Sequence, residues 1–208
     1  MMPTHSQRVI AYIDGFNLYF GLKEKGWKRY YWLNIQALMM NILKPDQGLV
    51  HTKYFTSRVH GPPDKAARQS TFLDALGTLS DFTVYYGQYV LTRQVCRRCG
   101  FENLVPNEKM SDVNIAVEML SDAFRDRFDT ALLVSADSDL KGPVEAVLRE
   151  FPDKRVVVIF PPARHSVALT QVASAFMTLG RAKLDRSTFP AQVRRQDGFL
   201  LQRPASWQ

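Results

Sequence analysis

Short apolar segments of the β-strand type alternate with segments of helical spacing along this 208-residue chain. Several strand-like segments are continuous runs of Val, Ile and Leu, which is typical of strands covered on both faces. Strands are predicted at 8–13, 50–57, 82–91, 130–135, 155–160 and 176–180. Helices are predicted between them at 34–43, 64–79, 112–127, 139–150 and 166–175. This alternation predicts an α/β domain with a mostly parallel central sheet.

The simplest division of the chain is one domain over residues 6–180 and a basic tail over residues 181–208. Within the domain, the stretch 92–110 shows no periodicity and is predicted to form a hairpin or flap beside the functional site. This stretch contains Cys96 and Cys99, which lack the second ligand pair that a structural zinc site requires. A reduced cysteine pair that closes a turn is therefore favoured over a zinc site.

The balance of charges favours a polyanionic partner. Lys and Arg number 27 against 20 Asp and Glu, a net charge of +7, although solubility alone explains such a charge equally well. The tail carries more than half of this excess, so it is either a phosphate-contacting arm or a solvated end. Its basic residues are Arg181, Lys183, Arg186, Arg194, Arg195 and Arg203.

The sequence lacks an apolar run of the roughly 18–20 residues that cross a membrane. Its first residues, MMPTHSQR, lack the apolar stretch of a secretion signal. These observations predict a cytoplasmic protein with no membrane partner, and they leave open whether the chain forms a homodimer.

Acidic residues follow two of the predicted strands and begin one predicted helix. Asp14 follows the first strand, Asp137 and Asp139 follow the fourth, and Asp112 begins the helix after the 92–110 stretch. Taken singly, each acid is better explained as a turn or helix cap. Ligands of open parallel sheets bind beyond the carboxyl ends of the strands, so all four acids are expected at one edge.

Carboxylates crowded at one edge repel one another and must take up protons or a cation. Mg²⁺ and Mn²⁺ prefer carboxylate oxygens, with waters and substrate phosphates completing the shell. Asn17, Ser135 and Ser138 can hydrogen-bond a water or phosphate there without adding charge. Glu118 lies 120° around the helix from Asp112, so we expect it at the surface or supporting the site. Dinucleotide-binding, P-loop and nucleophile-elbow motifs are absent from the sequence.

Three ordered segments resemble the signature blocks of the NYN domain, in its LabA-like branch, within the PIN-like superfamily of metal-dependent nucleases. The segments are Asp14–Asn17 (DGFN), Glu108–Val113 (EKMSDV) and Ser135–Leu140 (SADSDL). The resemblance implies a Rossmann-like, three-layer α/β/α sandwich that holds Mg²⁺ or Mn²⁺ and hydrolyses phosphodiester bonds, usually of RNA. By position, Asp14, Asp112 and Asp137 match the core acids, Asp139 a fourth acid, and Asn17 the asparagine. Ala136, Leu140 and Glu118 depart from the common glycine, phenylalanine and aspartate.

The resulting hypothesis is a metal-dependent ribonuclease in which Lys109, Arg97, Arg98 and the tail hold RNA through its phosphates. The aromatic run 30–32 either stacks on bases or, as the favoured interpretation, packs against the sheet. One alternative is an RNA-binding or regulatory NYN module with weak or no catalysis. Another is a DNA-cleaving PIN-like nuclease, because no residue identifies a contact to the 2′-hydroxyl.

Overall fold

The computed structural model of the chain describes residues 6–59, 61–95 and 98–208. The strands are β1 Gln7–Asp14, β2 Gln47–Thr56, β3 Phe82–Tyr86, β4 Gln88–Val95, β5 Glu102–Lys109, β6 Thr130–Val134, β7 Arg155–Phe160, β8 Ala175–Thr178, β9 Gln192–Arg194 and β10 Leu200–Gln202. The α-helices are α1 Gly15–Glu24, α2 Ile35–Met40, α3 Pro63–Leu76, α4 Ser111–Phe124, α5 Lys141–Glu150, α6 Val167–Val172 and α7 Arg181–Asp185. Short 3₁₀ turns cover Lys28–Tyr31, Ser138–Leu140 and Ala205–Trp207. None of the described helices is both long and apolar enough to cross a bilayer.

Six parallel strands form the central sheet in the order β3-β2-β1-β6-β7-β8. Residues of β1 from Val9 to Ile13 are almost fully buried, because β1 lies inside the sheet and helices cover both faces. One face packs on α1 to α3 and the other on α4 to α6. The predicted α/β class and the PIN/NYN Rossmann-like architecture are therefore confirmed.

The neighbours of β1 make the carboxyl edge a ligand-binding edge. The chain leaves β1 toward β2 on one side and later returns to pair β6 on the other. In such sheets the crevice forms at this reversal of strand order, beyond the carboxyl ends of the strands. The edge between β1 and β6 therefore presents Asp14 and the loop that begins at Ser135.

Two local differences separate the prediction from the structure. The predicted strand 82–91 is two strands, because the chain turns out of the sheet at Gly87, whose N–H donates to Thr56 O at 2.8 Å. The following residues instead pair β4 with β5 as an antiparallel hairpin across the 92–110 stretch. The sequence prediction also omits helix α1, whose apolar residues Leu18 and Leu22 follow the opening strand directly.

The basic tail packs on the domain over residues 181–207, so the prediction of a solvated end is wrong. Its apolar side chains Leu184, Phe189, Val193 and Leu201 are buried against the main core. The indole Nε1–H of Trp32 donates to Pro190 O at 2.8 Å. The prediction missed this docking because the apolar residues of the tail are spaced irregularly between charged ones.

A buried ionic cluster joins α4 to the first three strands. Lys53 on β2 donates from Nζ to Glu118 Oε2 at 2.7 Å and to Asp122 Oδ2 at 2.5 Å. Tyr12 donates to Asp122 Oδ2 at 2.7 Å, and Tyr85 donates to Glu118 Oε2 at 2.8 Å. The Lys53 and Asp122 side chains are only 4% and 1% exposed. Glu118 therefore helps to fix α4 against β2 and β3.

Replacing Lys53 with Met should lower the free energy of unfolding by about 3 kcal/mol, because it leaves the buried Asp122 carboxylate paired only with the more exposed Arg127 and removes the cation of the partly buried Glu118. Urea denaturation measures this loss. The matched control is Lys141→Met, which removes the cation of the exposed Lys141–Glu145 pair at 3.6 Å. The control should change stability by less than about 0.5 kcal/mol. Equal losses in the two variants would contradict a stabilising role for the cluster.

Candidate active site at the carboxyl edge of the sheet

Asp14 ends β1 and caps α1, and its carboxyl group is almost fully buried at 4% exposure. Its Oδ1 accepts from the backbone N–H of Asn17 at 2.9 Å. Its Oδ2 accepts from the Ser135 hydroxyl at 2.9 Å. The first hydrogen bond satisfies a free N–H at the start of a helix, where the helix dipole also favours negative charge. The carboxyl group is thus held by its own position at the end of β1, by the start of α1 and by Ser135 on the loop after β6.

Gly15 allows α1 to begin directly against β2. A Cβ atom at this position would lie 2.6 Å from the Tyr54 ring and hydroxyl and 2.8 Å from Phe55 O. Such distances are shorter than any van der Waals contact, so a larger residue would push α1 away from β2. The glycine therefore sets the direction in which the chain leaves Asp14.

The loop after β6 is hydrogen-bonded to this junction. The side-chain Oδ1 of Asn17 accepts from Ala136 N–H at 3.2 Å. Ser135 Oγ accepts from Asp137 N–H at 3.0 Å, while its own proton goes to Asp14. Asp137 Oδ1 in turn accepts from Asp139 N–H at 3.0 Å. Asn17 and Ser135 therefore position Asp14 and Asp137 relative to each other across the strand-order reversal.

Burial raises the pKa of Asp14, and the negative charge of Asp137 raises it further. The hydrogen bonds from Asn17 and Ser135 oppose this shift without cancelling it. A desolvated carboxylate beside a second carboxylate is stabilised by a proton or by a cation. The electrostatics of the pair therefore favour a positive ligand.

Asp112 and Asp139 lie at the same edge but not in one ligand cluster with the pair. Helix α4 starts at this edge, because just beyond its end Asp129 N–H donates to Arg8 O at the beginning of β1. Asp112 sits in the first turn of α4 and is partly exposed, and Asp139 is exposed. Within the described part of the chain, no three His, Cys, Asp or Glu side chains converge as a metal-binding group.

Of the other residues predicted to contact nucleic acid, some are exposed and some lie outside the described residues. Ser138 is exposed next to Asp137, and Arg98 is exposed in the turn of the β4–β5 hairpin. Arg97 and the side chain of Lys109 fall outside the description, as does Cys96. Cys99 is an exposed free thiol.

The donor chemistry of the pair fits Mg²⁺ or Mn²⁺. Asp14, Asp137 and Ser135 offer oxygen atoms, which these hard cations prefer. Mg²⁺ commonly keeps several waters and binds through one or two carboxylates together with substrate phosphates. Two carboxylates held by the fold are therefore a sufficient protein contribution.

An aromatic cavity adjoins the β1–α1 junction, and the sequence analysis missed it. It encloses about 530 Å³ and includes Gly15, Tyr31 and Trp207 in its wall. Tyr30 and Trp32 are 1% and 0% exposed, so the packing interpretation is confirmed for them. Tyr31 is only partly buried and faces the cavity.

This arrangement, a parallel α/β sheet with paired acids at its strand-order reversal, is that of a PIN-like nuclease domain. The chain belongs to the NYN domain family, whose model matches residues 8–180. The NYN family lies within the PIN-like nuclease superfamily, whose substrates are nucleic acids.

Known proteins that are similar to this chain include a curated relative and a solved structure. 6-Hydroxy-3-succinoylpyridine 3-monooxygenase HspA of Pseudomonas putida (strain DSM 28022 / S16) is 26% identical over 194 residues. That match covers 77% of this chain and 61% of the relative, so the chain spans about three fifths of the relative's length. A crystal structure of a protein of unknown function from Vibrio parahaemolyticus RIMD 2210633 has a TM-score of 0.59 at 20% identity. It covers 91% of this chain and 100% of its own, and it shows the fold alone.

Asp14→Asn should flatten the dependence of stability on pH in metal-free buffer. Between the ordinary and the raised pKa of Asp14, the native state holds a proton that the unfolded state has released. Stability therefore falls as pH rises through this interval, and the variant lacks that fall. Thermal unfolding with chelator, from acidic to neutral pH, measures both profiles.

The same two proteins provide a test of cation binding. Mn²⁺ should raise the unfolding temperature of the wild type and leave that of Asp14→Asn nearly unchanged. Parallel pH profiles, or equal shifts with Mn²⁺, would contradict this account of the site.

Proposed function

We propose that this chain is a metal-dependent ribonuclease. The observation that carries the proposal is the buried Asp14 carboxyl group, which is fixed beside Asp137 at the strand-order reversal of a NYN fold. This edge is open to a ligand, since Asp137 is partly exposed and both Ser138 and Asp139 are exposed. The chemistry and the position together support hydrolysis of a phosphodiester bond.

Asp14 and Asp137 would hold a Mg²⁺ or Mn²⁺ ion, with Asp112 and Asp139 as further oxygen donors from the same edge. When bound, such an ion activates a water and stabilises the charge on a phosphate under attack. Ser135 orients Asp14 through its 2.9 Å hydrogen bond, and Asn17 fixes the Asp137 loop through Ala136 N–H. Ser138 offers a hydroxyl donor to a phosphate oxygen, and Arg98 together with Lys109 and Arg97 offers charge to the strand.

The finer assignments extend the same proposal. The three sequence blocks around Asp14, Asp112 and Asp137 support the LabA-like branch. RNA is proposed over DNA because it is the usual substrate implied by that resemblance, and a cytoplasmic location accords with such a substrate. The two alternatives keep the fold and change the chemistry: an RNA-binding or regulatory module without turnover, and a DNA-cleaving nuclease.

Single-stranded RNA should be cleaved with Mn²⁺ or Mg²⁺ and spared with chelator. Asp14→Asn and Asp137→Asn should each lower the cleavage rate on the order of 10²-fold or more, because each removes charge from the site. Gel analysis of end-labelled RNA and matched DNA measures the rate and the preference. The matched control is Asp153→Asn, an exposed acid just before β7 at the opposite edge, which should cleave like the wild type.

Three outcomes would overturn parts of this proposal. Undiminished cleavage by the Asp14→Asn/Asp137→Asn double variant would indicate a contaminating nuclease. Cleavage of DNA but not RNA would establish the DNA-cleaving alternative. RNA binding without cleavage under any tested cation would establish the regulatory alternative.

A second candidate function is oxygen insertion into a small nitrogen-containing ring. It is favoured by the aromatic cavity and by the similarity to a relative whose name specifies a substituted pyridine. The test incubates the chain with 6-hydroxy-3-succinoylpyridine, dioxygen and a reduced nicotinamide as two-electron donor. Mass spectrometry should find no oxygenated ring if the chain is a nuclease. Formation of that product, with no cleavage of nucleic acid, would replace the nuclease proposal.

A further inference from the structure

The aromatic cavity lies between α1, the 3₁₀ turn Lys28–Tyr31, α3 and the end of the C-terminal segment. Its volume of about 530 Å³ lies within the range of about 300–1,000 Å³ that is typical of small-molecule pockets. Aromatic rings form much of its wall. They come from Phe16, Tyr19, Phe20, Tyr30, Tyr31, Tyr54, Phe72 and Trp207.

The rings of this wall support one another in fixed orientations. Tyr31 packs on Trp207 with a centroid distance of 5.7 Å and an interplanar angle of 89°. Tyr19 lies 5.0 Å from Tyr31, and Phe72 lies 6.3 Å from Trp207. Ring faces held in this way are suited to stack on a planar aromatic ligand.

The charges around the cavity are positive. Lys23, Lys28, Lys65 and Arg68 belong to its lining, and none of the lining residues within the described part of the chain is acidic. Arg68 pairs with Asp64 outside the wall at 2.6 Å, and this exposed pair is readily exchanged for another anion. The cavity therefore combines an apolar interior with cations that suit a phosphate.

The cavity adjoins the candidate active site through the β1–α1 junction. Gly15 lines it and follows Asp14 directly in the chain, and Thr56 lines it at the end of β2. Tyr54 lies in the cavity wall close to Asp14. Burial raises the pKa of Tyr54, and the negative charge of Asp14 raises it further. A ligand in the cavity thus lies next to the junction that begins at Asp14.

We propose that the cavity binds one unpaired nucleobase of the RNA strand, next to the phosphate that is cleaved. The base stacks on the Tyr31 ring and meets Trp207 edge to face, because the two rings are nearly perpendicular, and the adjoining phosphate lies toward Lys65 and the Asp14 edge. A base in a duplex cannot enter, so the substrate class is single-stranded or locally unpaired RNA. This inference rests on the proposed ribonuclease function and specifies its substrate.

The first test measures base insertion without requiring cleavage. Oligoribonucleotides carrying 2-aminopurine at successive positions are titrated with the Asp14→Asn protein in chelator, and fluorescence reports stacking. Quenching is expected at one position. Tyr31→Ala in the same background should weaken binding about 5- to 150-fold, and Tyr31→Phe, which keeps the ring, should bind normally.

Phe124→Ala is the matched control, because Phe124 is an 81% exposed aromatic residue on α4, a helix that contributes no residue to the cavity wall. It should bind as tightly as the parent protein. Equal weakening by Phe124→Ala and Tyr31→Ala, or unquenched 2-aminopurine at every position, would overturn the proposal.

The second test changes the substrate and leaves the protein intact. An abasic nucleotide is placed at each position around the cleaved bond of a single-stranded RNA. Cleavage by the wild type should fall about 5- to 150-fold for one position near that bond. Unchanged cleavage with every abasic substrate would overturn base binding while leaving the ribonuclease proposal intact. Quenching of 2-aminopurine, together with no cleavage by the wild type, would overturn the ribonuclease proposal and leave base binding intact.

A third measurement separates an RNA base from a free small ring. AMP and UMP should bind the wild type at lower concentrations than ribose 5-phosphate, because only the nucleotides carry a base. Equal binding of ribose 5-phosphate would show that the cations act alone. Saturable binding of nicotinate without binding of either nucleotide would assign the cavity to small heterocyclic acids. Either result, equal binding of ribose 5-phosphate or binding of nicotinate alone, would overturn the proposal.

Discussion

The burial of one carboxyl group, that of Asp14, is the constraint on which the rest of this edge depends. A buried carboxylate is costly unless hydrogen bonds or charges compensate it. Here the compensation comes from the start of α1 and from Ser135 on the loop after β6. The requirement to satisfy one side chain thus ties two sequence-distant strand ends together. The ionic cluster around Lys53 lies deeper in the structure and fixes α4 against the central strands. It thereby sets the position of Asp112 in the first turn of that helix.

Much of the sheet could be predicted because its signal is local. Continuous apolar runs such as residues 9–13 and 156–160 are long enough to identify strands buried on both faces. The prediction failed where tertiary contacts decide. Gly87 separates two strands because the second pairs outside the main sheet, a choice that residues 82–91 alone do not reveal. The docking of Phe189 and Val193 likewise depends on a surface built by residues far away in the chain.

The candidate site was likewise predictable in part, at its strand ends but not at its cavity. The structure joins Asp14, Asn17, Ser135 and Asp137 by hydrogen bonds or charge, and all four were identifiable because polar residues directly follow apolar strands. The cavity was not identifiable, since its wall combines residues near 15–31, 54–72 and 206–207. No spacing in the sequence relates Tyr31 to Trp207. The aromatic run that contains Tyr31 shows the difficulty, because its neighbours Tyr30 and Trp32 have the same chemistry and are buried.

Gly15 has a consequence for how proteins with this architecture diverge. It follows Asp14 directly and lines the aromatic cavity, and its backbone is confined by Tyr54 and Phe55. Substitutions in the cavity wall can therefore alter which molecule is recognised while this confined junction keeps the acids in register. Selection can act on recognition and on chemistry separately, although the two lie one residue apart.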